Sequence, residues 1–214
     1  LRQGSWIKKI ETNFQKYLGV SNAVSFDSGR SALYAILKSL ELQPNSEVLI
    51  QAYTCVVVPN AIIFAGHVPV YVDIEANSYN IDPQDLEKKI TPKSKALIIQ
   101  NTFGEPADYQ KIMAIAKKHH LSVIEDAAHS LGSTWHPRKI GTIADAAMFS
   151  FGRDKVISCV FGGIATSKHP EIARKIKAFQ TNLPFQPIHI VVSHLLHPLV
   201  FVIALPFYNL FNFG

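Results

Sequence analysis

The segment "ALIIQNTFGEPADYQKIMAIAKKHHLSVIED", residues 96–126, contains two apolar runs separated by an amphipathic stretch. The runs "ALIIQN" and "SVIED" have the length and the apolar, β-branched composition of buried strands. The stretch between them, "DYQKIMAIAKKHH", spaces its apolar residues along one face of a helix. A strand, a helix and a second strand in this order predict two parallel strands joined by a crossover helix.

The same alternation extends in both directions from this segment. We predict further strands at "NAVSF", "EVLIQA", "VPVYVDI", "AAMFSF" and "GIATS", and helices over residues 5–18, 28–40, 56–65 and 82–90. Alternating strands and helices predict an α/β domain whose mostly parallel sheet is covered by helices on both faces. The 214 residues suffice for one such domain. We assign residues 1–185 to it.

The composition narrows the class of protein. Apolar residues make up 48% of the chain and charged residues 17%, which excludes disorder and favours a buried sheet. The net charge of +5 is spread along the chain, which favours a phosphate-bearing small molecule as ligand over nucleic acid. Cys55 and Cys159 form no C-x-x-C pair, so we expect two buried free thiols and no metal site. The opening residues have no signal-peptide pattern, and we expect a cytoplasmic protein.

Residues 186–214 differ from the rest. Beyond Lys177 the chain has no Asp, Glu, Lys or Arg, and "IHIVVSHLLHPLVFVIALPFYNLFNF" is long enough to cross a bilayer. Histidine, serine, asparagine and proline interrupt it, so three alternatives stay open: a membrane span, a hydrophobic hairpin, and an element lying on the membrane surface. Because an apolar segment of this size needs a covering surface, we expect the chain to be a fragment of a longer protein.

Polar residues follow the predicted strands at their carboxyl ends, where ligands gather in sheets of this kind. These polar residues form four clusters, and each cluster taken alone has an ordinary interpretation, such as a helix cap, a solvated lysine or a structural histidine. Together, a lysine amine that can form a Schiff base and a carboxylate that can keep a ring nitrogen protonated are what pyridoxal phosphate chemistry requires. These clusters are Ser28 to Ser31, Asn101 with Thr102, Asp126 with His129, and Ser150 with Lys155.

A phosphate group requires backbone N–H groups and hydroxyls at a helix N-terminus. The stretch "DSGRSA" offers them: Gly29 permits close approach, Ser31 supplies a hydroxyl and Arg30 adds positive charge. Since Gly and Ser open many helices, an ordinary helix cap is the alternative. Ser150 is a further candidate phosphate ligand.

Five segments together resemble the DegT/DnrJ/EryC1/StrS family of sugar aminotransferases. They are "DSGRSAL", "YTCVVVPNAIIFAGHVPVYVDIE", "YNIDPQDLEKKITPKSKALI", "FGEPADYQKIMAIAKKHHLSVIEDAAHSLG" and "FSFGRDK". The resemblance implies the large domain of a fold type I, pyridoxal-phosphate-dependent enzyme, acting as a homodimer. It implies transfer of an amino group, usually from glutamate, to a nucleotide-linked keto-sugar in polysaccharide or deoxyamino-sugar synthesis.

The resemblance also implies roles for individual residues. Lys155 matches the Schiff-base lysine, Asp126 the partner of the pyridine nitrogen, and His129 a residue near the ring. Gly29, Arg30, Ser31 and Ser150 fall at positions of the phosphate site.

Three departures from the family pattern stand out. Cys55 occupies the place of an aromatic ring that stacks on the cofactor, so stacking requires Tyr53 or His129 instead. Arg30 replaces a more usual threonine. The third departure is that the stretch "VISCVFGG" replaces a more glycine-rich run and that the family's smaller C-terminal domain is absent. The resemblance also implies that residues are missing before Leu1. Two other functions stay open: a non-catalytic relative that binds cofactor or sugar nucleotide, and a sugar dehydratase of the same family, against which Lys155 argues because dehydratases have histidine there.

Overall fold

The computed structural model describes residues 4–205. Within this range one compact unit ends at Asn182 and a second begins at Leu183. The predicted domain limits, 1–185 and 186–214, extend beyond both ends, so residues 1–3 and 206–214 of those predictions lie outside the described residues.

The elements follow the predicted order, with one helix and one hairpin added. The helices are α1 Ser5–Leu18, α2 Gly29–Ser39, α3 Val57–Phe64, α4 Pro83–Lys89, α5 Tyr109–Lys118, α6 Pro170–Thr181 and α7 Ile188–Ala204. The strands are β1 Val24–Phe26, β2 Glu47–Gln51, β3 Val68–Val72, β4 Ser94–Gln100, β5 Ser122–Asp126, β6 Thr134–Trp135, β7 Arg138–Lys139, β8 Ala146–Ser150 and β9 Gly163–Ser167. Helix α6 and the β6–β7 hairpin were not predicted.

Seven strands form one sheet in the order β1-β9-β8-β5-β4-β2-β3. The five strands β3, β2, β4, β5 and β8 run parallel to one another, whereas β9 is antiparallel to both β8 and β1. The mostly parallel sheet of the prediction is thereby confirmed. Its parallel strands all end at one edge, which is where the candidate residues lie.

The two faces of the sheet carry separate cores, because successive strand residues point to opposite sides. Leu97 and Ile99 of β4 face the side covered by α1, α4 and α5, and Ile98 between them faces the side covered by α2, α3 and α6. All three are nearly inaccessible to solvent. Covering both faces explains why these strands read as continuous apolar runs in the sequence.

The cysteine expectation is wrong in one respect. Both thiols are free, as expected, but Cys55 and Cys159 are exposed residues. Cys55 lies directly before α3 at the loop-rich edge of the sheet, and Cys159 lies in the irregular segment between β8 and β9. Neither position is covered by the helices that form the two cores.

In the second unit, α7 runs from Ile188 to Ala204 and contains Pro198. Its described side chains include exposed leucines and valines, such as Leu195, Leu199 and Val202. Over residues 4–205, no helix combines the length and the apolar character that crossing a membrane requires.

Candidate active site

The site begins where two neighbouring parallel strands end. Asp126 is the last residue of β5 and Ser150 the last of β8, and Asp126 pairs in register with Met148. Asp126 is buried, and its carboxylate accepts a hydrogen bond from the Ala128 N–H at 3.0 Å. Strand pairing therefore brings the carboxylate of one strand and the hydroxyl of the next to the same edge.

Lys155 lies beyond β8, after a turn in which its N–H donates to the carbonyl oxygen of Gly152 at 3.2 Å. Its ammonium nitrogen lies 3.1 Å from Nε2 of His129 and 2.8 Å from Oδ2 of Asp154. Only 15% of the Lys155 side chain is exposed. Since an ammonium group can only donate, His129 must accept at Nε2 and carry its own proton on Nδ1.

Burial is the largest influence on the pKa values of Asp126 and His129. Burial raises the pKa of Asp126 to about 6, although the Ala128 N–H and the charge of Lys155 oppose the rise. Burial and the positive charge of Lys155 lower the pKa of His129. The site at neutral pH therefore places an ionised carboxylate in a poorly solvated position and a neutral imidazole beside the Lys155 amine.

The N-terminus of α2 lies against the end of β8. Ser28 caps the helix by accepting from the Ser31 N–H at 3.2 Å, and the two hydroxyls lie 3.0 Å apart. A methyl group on Gly29 would come within 2.7 Å of Cβ and 3.1 Å of Oγ of Ser150. A methyl on Gly163 would come within 2.5 Å of the Gly29 nitrogen. Glycines at both positions thus let strand and helix backbones approach closely enough to place three hydroxyls around one helix N-terminus.

The structure reveals a buried carboxylate that sequence reasoning missed. Glu125, directly before Asp126, is fully buried and accepts hydrogen bonds from the N–H groups of Gly141, Ile143 and Ala144 at 2.7 to 2.8 Å and from the Tyr109 hydroxyl at 3.0 Å. It fixes the loop that leads into β8 to the end of β5. The three N–H donors follow Glu125 by 16 to 19 positions along the chain and Tyr109 precedes it by 16, so no local sequence pattern predicts these contacts.

Three exposed aromatic rings, from Tyr53, Tyr79 and Phe103, form a cluster at the same edge, with ring centroids 5.5 to 6.4 Å apart. Phe103 also stacks on His129, with an angle of 4° between the ring planes. Buried Gln51 donates to the carbonyl oxygens of Tyr53 and Tyr79 at 2.7 and 3.0 Å, which fixes both loops. The imidazole of His129, which contacts Lys155, thus packs against the ring of Phe103.

The predicted site residues divide into three groups. The first group, at the carboxyl end of the parallel strands, consists of Lys155, Asp126 and His129. The second group, at the same edge, consists of Gly29, Ser31 and Ser150. The third group, Arg30 and Cys55, lies on exposed positions. Arg30 is an exposed residue in the first turn of α2. Cys55 is exposed before α3, and for the part of the chain that the structure covers, no hydrogen bond or ring contact joins it to Lys155, Asp126 or His129.

Comparison with known proteins identifies relatives over most of the chain. The sequence model of the DegT/DnrJ/EryC1/StrS aminotransferase family matches residues 1–182. GDP-perosamine synthase of Caulobacter vibrioides is 34% identical over 174 residues, which are 81% of this chain and 47% of that protein. Spore coat polysaccharide biosynthesis protein SpsC of Bacillus subtilis is 37% identical over 177 residues, 83% of this chain and 46% of that protein. The chain spans about half the length of the curated relatives it matches.

Among solved structures, Helicobacter pylori PseC, an aminotransferase involved in the biosynthesis of pseudoaminic acid, superposes with a TM-score of 0.81 at 30% identity, over 87% of this chain and 51% of that one. This likeness confirms the fold class predicted from the sequence.

Proposed function

This chain belongs to the DegT/DnrJ/EryC1/StrS aminotransferase family, and from that premise we propose that the whole protein is a pyridoxal-phosphate-dependent sugar aminotransferase. The proposed reaction moves an amino group, from glutamate, onto a nucleotide-linked keto-sugar. The observation that carries the proposal is the position of the Lys155 amine, 3.1 Å from His129 and close enough to Asp126 for its charge to oppose the rise that burial causes in that carboxyl's pKa.

The residues at the sheet edge fit the cofactor at both of its ends. The first turn of α2, with the hydroxyls of Ser28, Ser31 and Ser150 around it, would hold the phosphate. The fit rests on space as well as charge, because the backbone at Gly29 approaches Ser150 so closely that a methyl group would fill the cradle. Asp126 would hold the ring nitrogen, and Lys155 would bind the aldehyde covalently.

When bound, the cofactor supplies an electron-withdrawing ring that takes up the charge left by removal of a proton from carbon. Asp126 would keep the ring nitrogen protonated, because a carboxylate in contact with a cation favours the charged form. The Lys155 amine would act as general base and acid, taking up and returning the proton. His129, neutral and fixed by Phe103, accepts a hydrogen bond from the Lys155 amine and so orients it.

Borohydride reduction in the presence of pyridoxal 5'-phosphate tests the assignment. The expected result is one cofactor mass on the intact chain and, after digestion, on the peptide that contains Lys155. Lys155→Arg keeps the charge but should give no adduct, whereas Lys168→Arg, on a lysine outside the site, should leave labelling unchanged. An adduct on another lysine, or none on the folded wild-type chain, contradicts the proposal.

Three finer points belong to the same proposal: a homodimer, a cytoplasmic location, and a role in making polysaccharide or deoxyamino sugars. The name of the Bacillus subtilis relative supports the polysaccharide role for the family. Sedimentation velocity at several concentrations tests the dimer, and a chain that stays monomeric at the highest concentration would contradict it.

We also propose that residues 186–214 contact a membrane surface. The support is that α7 contains no Asp, Glu, Lys or Arg and that several of its residues are exposed leucines and valines, since such surfaces bind apolar partners. Flotation with lipid vesicles, with and without residues 186–214, tests this. Flotation that does not depend on the segment contradicts it.

A further inference from the structure

Asp154 contacts the candidate catalytic lysine and is the one charged partner of that lysine that the site prediction did not include. Its Oδ2 lies 2.8 Å from Nζ of Lys155. Gly152 makes room for it, because a methyl group at that glycine would come within 3.3 Å of the Asp154 carboxylate. The neighbouring cation, Arg153, lies over the ring of Phe161 at 5.1 Å, so its guanidinium has a different contact.

We infer that Asp154 is a positioning residue that holds the released Lys155 ammonium beside His129 and thereby opposes covalent attachment of the cofactor. The inference rests on the proposed function for the role of Lys155. It adds that the Asp154 carboxylate competes with the cofactor aldehyde for the Lys155 amine. As a consequence, a larger fraction of the bound cofactor would be held only through its phosphate and ring nitrogen, without a covalent bond to Lys155.

The chemistry of attachment explains the competition. Lys155 must first give up one proton, for which Nε2 of His129 at 3.1 Å is an available acceptor. The nitrogen lone pair would then add to the aldehyde carbon. The carbonyl oxygen would leave as water with the two remaining amine hydrogens, and a carbon–nitrogen double bond would replace the carbon–oxygen one. A carboxylate at 2.8 Å stabilises the starting ammonium form, which has no free lone pair. The Lys155 ammonium in turn holds the pKa of Asp154 below its usual value.

The other groups that face Lys155 do not take over this role. His129 is neutral and accepts one hydrogen bond. Asp126 acts on Lys155 only through its charge, and its carboxylate is the proposed partner of the ring nitrogen. Asp154 is therefore the carboxylate that directly contacts the lysine amine.

The effect on the lysine can be measured without any cofactor. We expect Asp154→Asn to raise the rate at which acetic anhydride acylates Lys155 at neutral pH by about two- to fivefold, the range given by an exposed ion pair. Asp154→Glu, which keeps the charge, should restore the wild-type rate. Glu171→Gln removes an exposed carboxylate from a 2.6 Å pair with Arg174 and should leave Lys155 labelling unchanged.

A second measurement adds pyridoxal 5'-phosphate and follows the visible absorbance of covalent attachment. Asp154→Asn should attach the cofactor faster and bind it covalently at a lower cofactor concentration than wild type, by a similar factor. Equal acylation rates in wild type and Asp154→Asn, or an equal increase in Glu171→Gln, overturn the inference. If acylation responds as expected but wild type attaches no cofactor at Lys155, the proposed function fails while the Asp154–Lys155 pairing stands.

Discussion

Replacing Asp126 by asparagine should stabilise the cofactor-free protein at alkaline pH. Asp126 is 4% exposed and, within the described part of the chain, accepts one hydrogen bond, from the Ala128 N–H. Burial raises its pKa from 3.8 to about 6 even though the charge of Lys155 opposes the rise. Asparagine keeps the shape and the acceptor oxygen but carries no charge, so the substitution removes the cost of a buried carboxylate.

The shift in pKa gives the size and the sign of the effect. One pKa unit corresponds to about 1.4 kcal/mol, so the ionised carboxyl costs the folded state about 3 kcal/mol. Because the folded pKa lies above the unfolded value, the folded state binds the proton more tightly, and this stability is present below pH 3.8 and lost as the pH rises to about 6. The amide N–H₂ of asparagine needs a partner and costs about 1 kcal/mol. We therefore expect the variant to be about 2 kcal/mol more stable at pH 8 and about 1 kcal/mol less stable at pH 4.

Urea unfolding of the cofactor-free chain at pH 4 and pH 8, followed by circular dichroism, measures both differences. Glu171→Gln, a charge removal at an exposed helix position, serves as the control and should follow the wild-type pH dependence. Saturating pyridoxal 5'-phosphate should reverse the order at pH 8, since a ligand that pairs with the carboxylate stabilises the wild type more. Parallel stability curves for wild type and Asp126→Asn between the two pH values would refute the reasoning.

Three further substitutions test the surroundings of the site. Gly163→Ala forces a methyl to within 2.5 Å of the Gly29 nitrogen and should lower the free energy of unfolding by about 3 kcal/mol, whereas Gly4→Ala, in open space, should change it little in the same urea experiment. Glu125→Gln leaves buried N–H donors facing an N–H₂ group and should cost about 2 to 4 kcal/mol; unchanged stability would mean that these hydrogen bonds are dispensable. Phe103→Ala removes the ring stacked on the site histidine and should move that histidine's pKa toward its ordinary value, measured by NMR titration; an unchanged pKa would show that other groups bury the imidazole.

Local patterns in the sequence predict the elements that carry the site. Apolar runs give β5 and β8, and the Asp82 cap followed by Pro83 gives the start of α4, where the Asp82 side chain accepts from the Gln84 N–H. The Ser28–Gly29 start of α2 is predicted for the same reason. Each of these signals lies within a few residues of the feature it specifies, so sequence alone is sufficient.

Features that depend on contacts between distant segments could not be predicted. Phe103 has a φ of 54°, a conformation that bulky residues rarely adopt, and its stacking on His129 joins two loops that the sequence does not relate. The β6–β7 hairpin has two-residue strands, too short for the alternation of apolar residues that predicts a strand.

The adjacent carboxylates of Glu125 and Asp126 at the end of β5 differ in the number of hydrogen bonds that the fold supplies to them. This difference explains why Glu125 is structural and Asp126 is the candidate cofactor ligand. An ionised carboxylate can accept about four hydrogen bonds. Glu125 receives four from described residues, so its capacity is filled by the fold itself. Asp126, equally removed from solvent, receives one, and a carboxylate buried in that state lowers stability unless a donor binds it. A cofactor analogue with carbon in place of the ring nitrogen should therefore bind the wild type more weakly than pyridoxal 5'-phosphate does. The Asp126→Ala variant should bind the two compounds equally. Equal binding of both compounds by the wild type would show that Asp126 does not accept a hydrogen bond from the ring nitrogen.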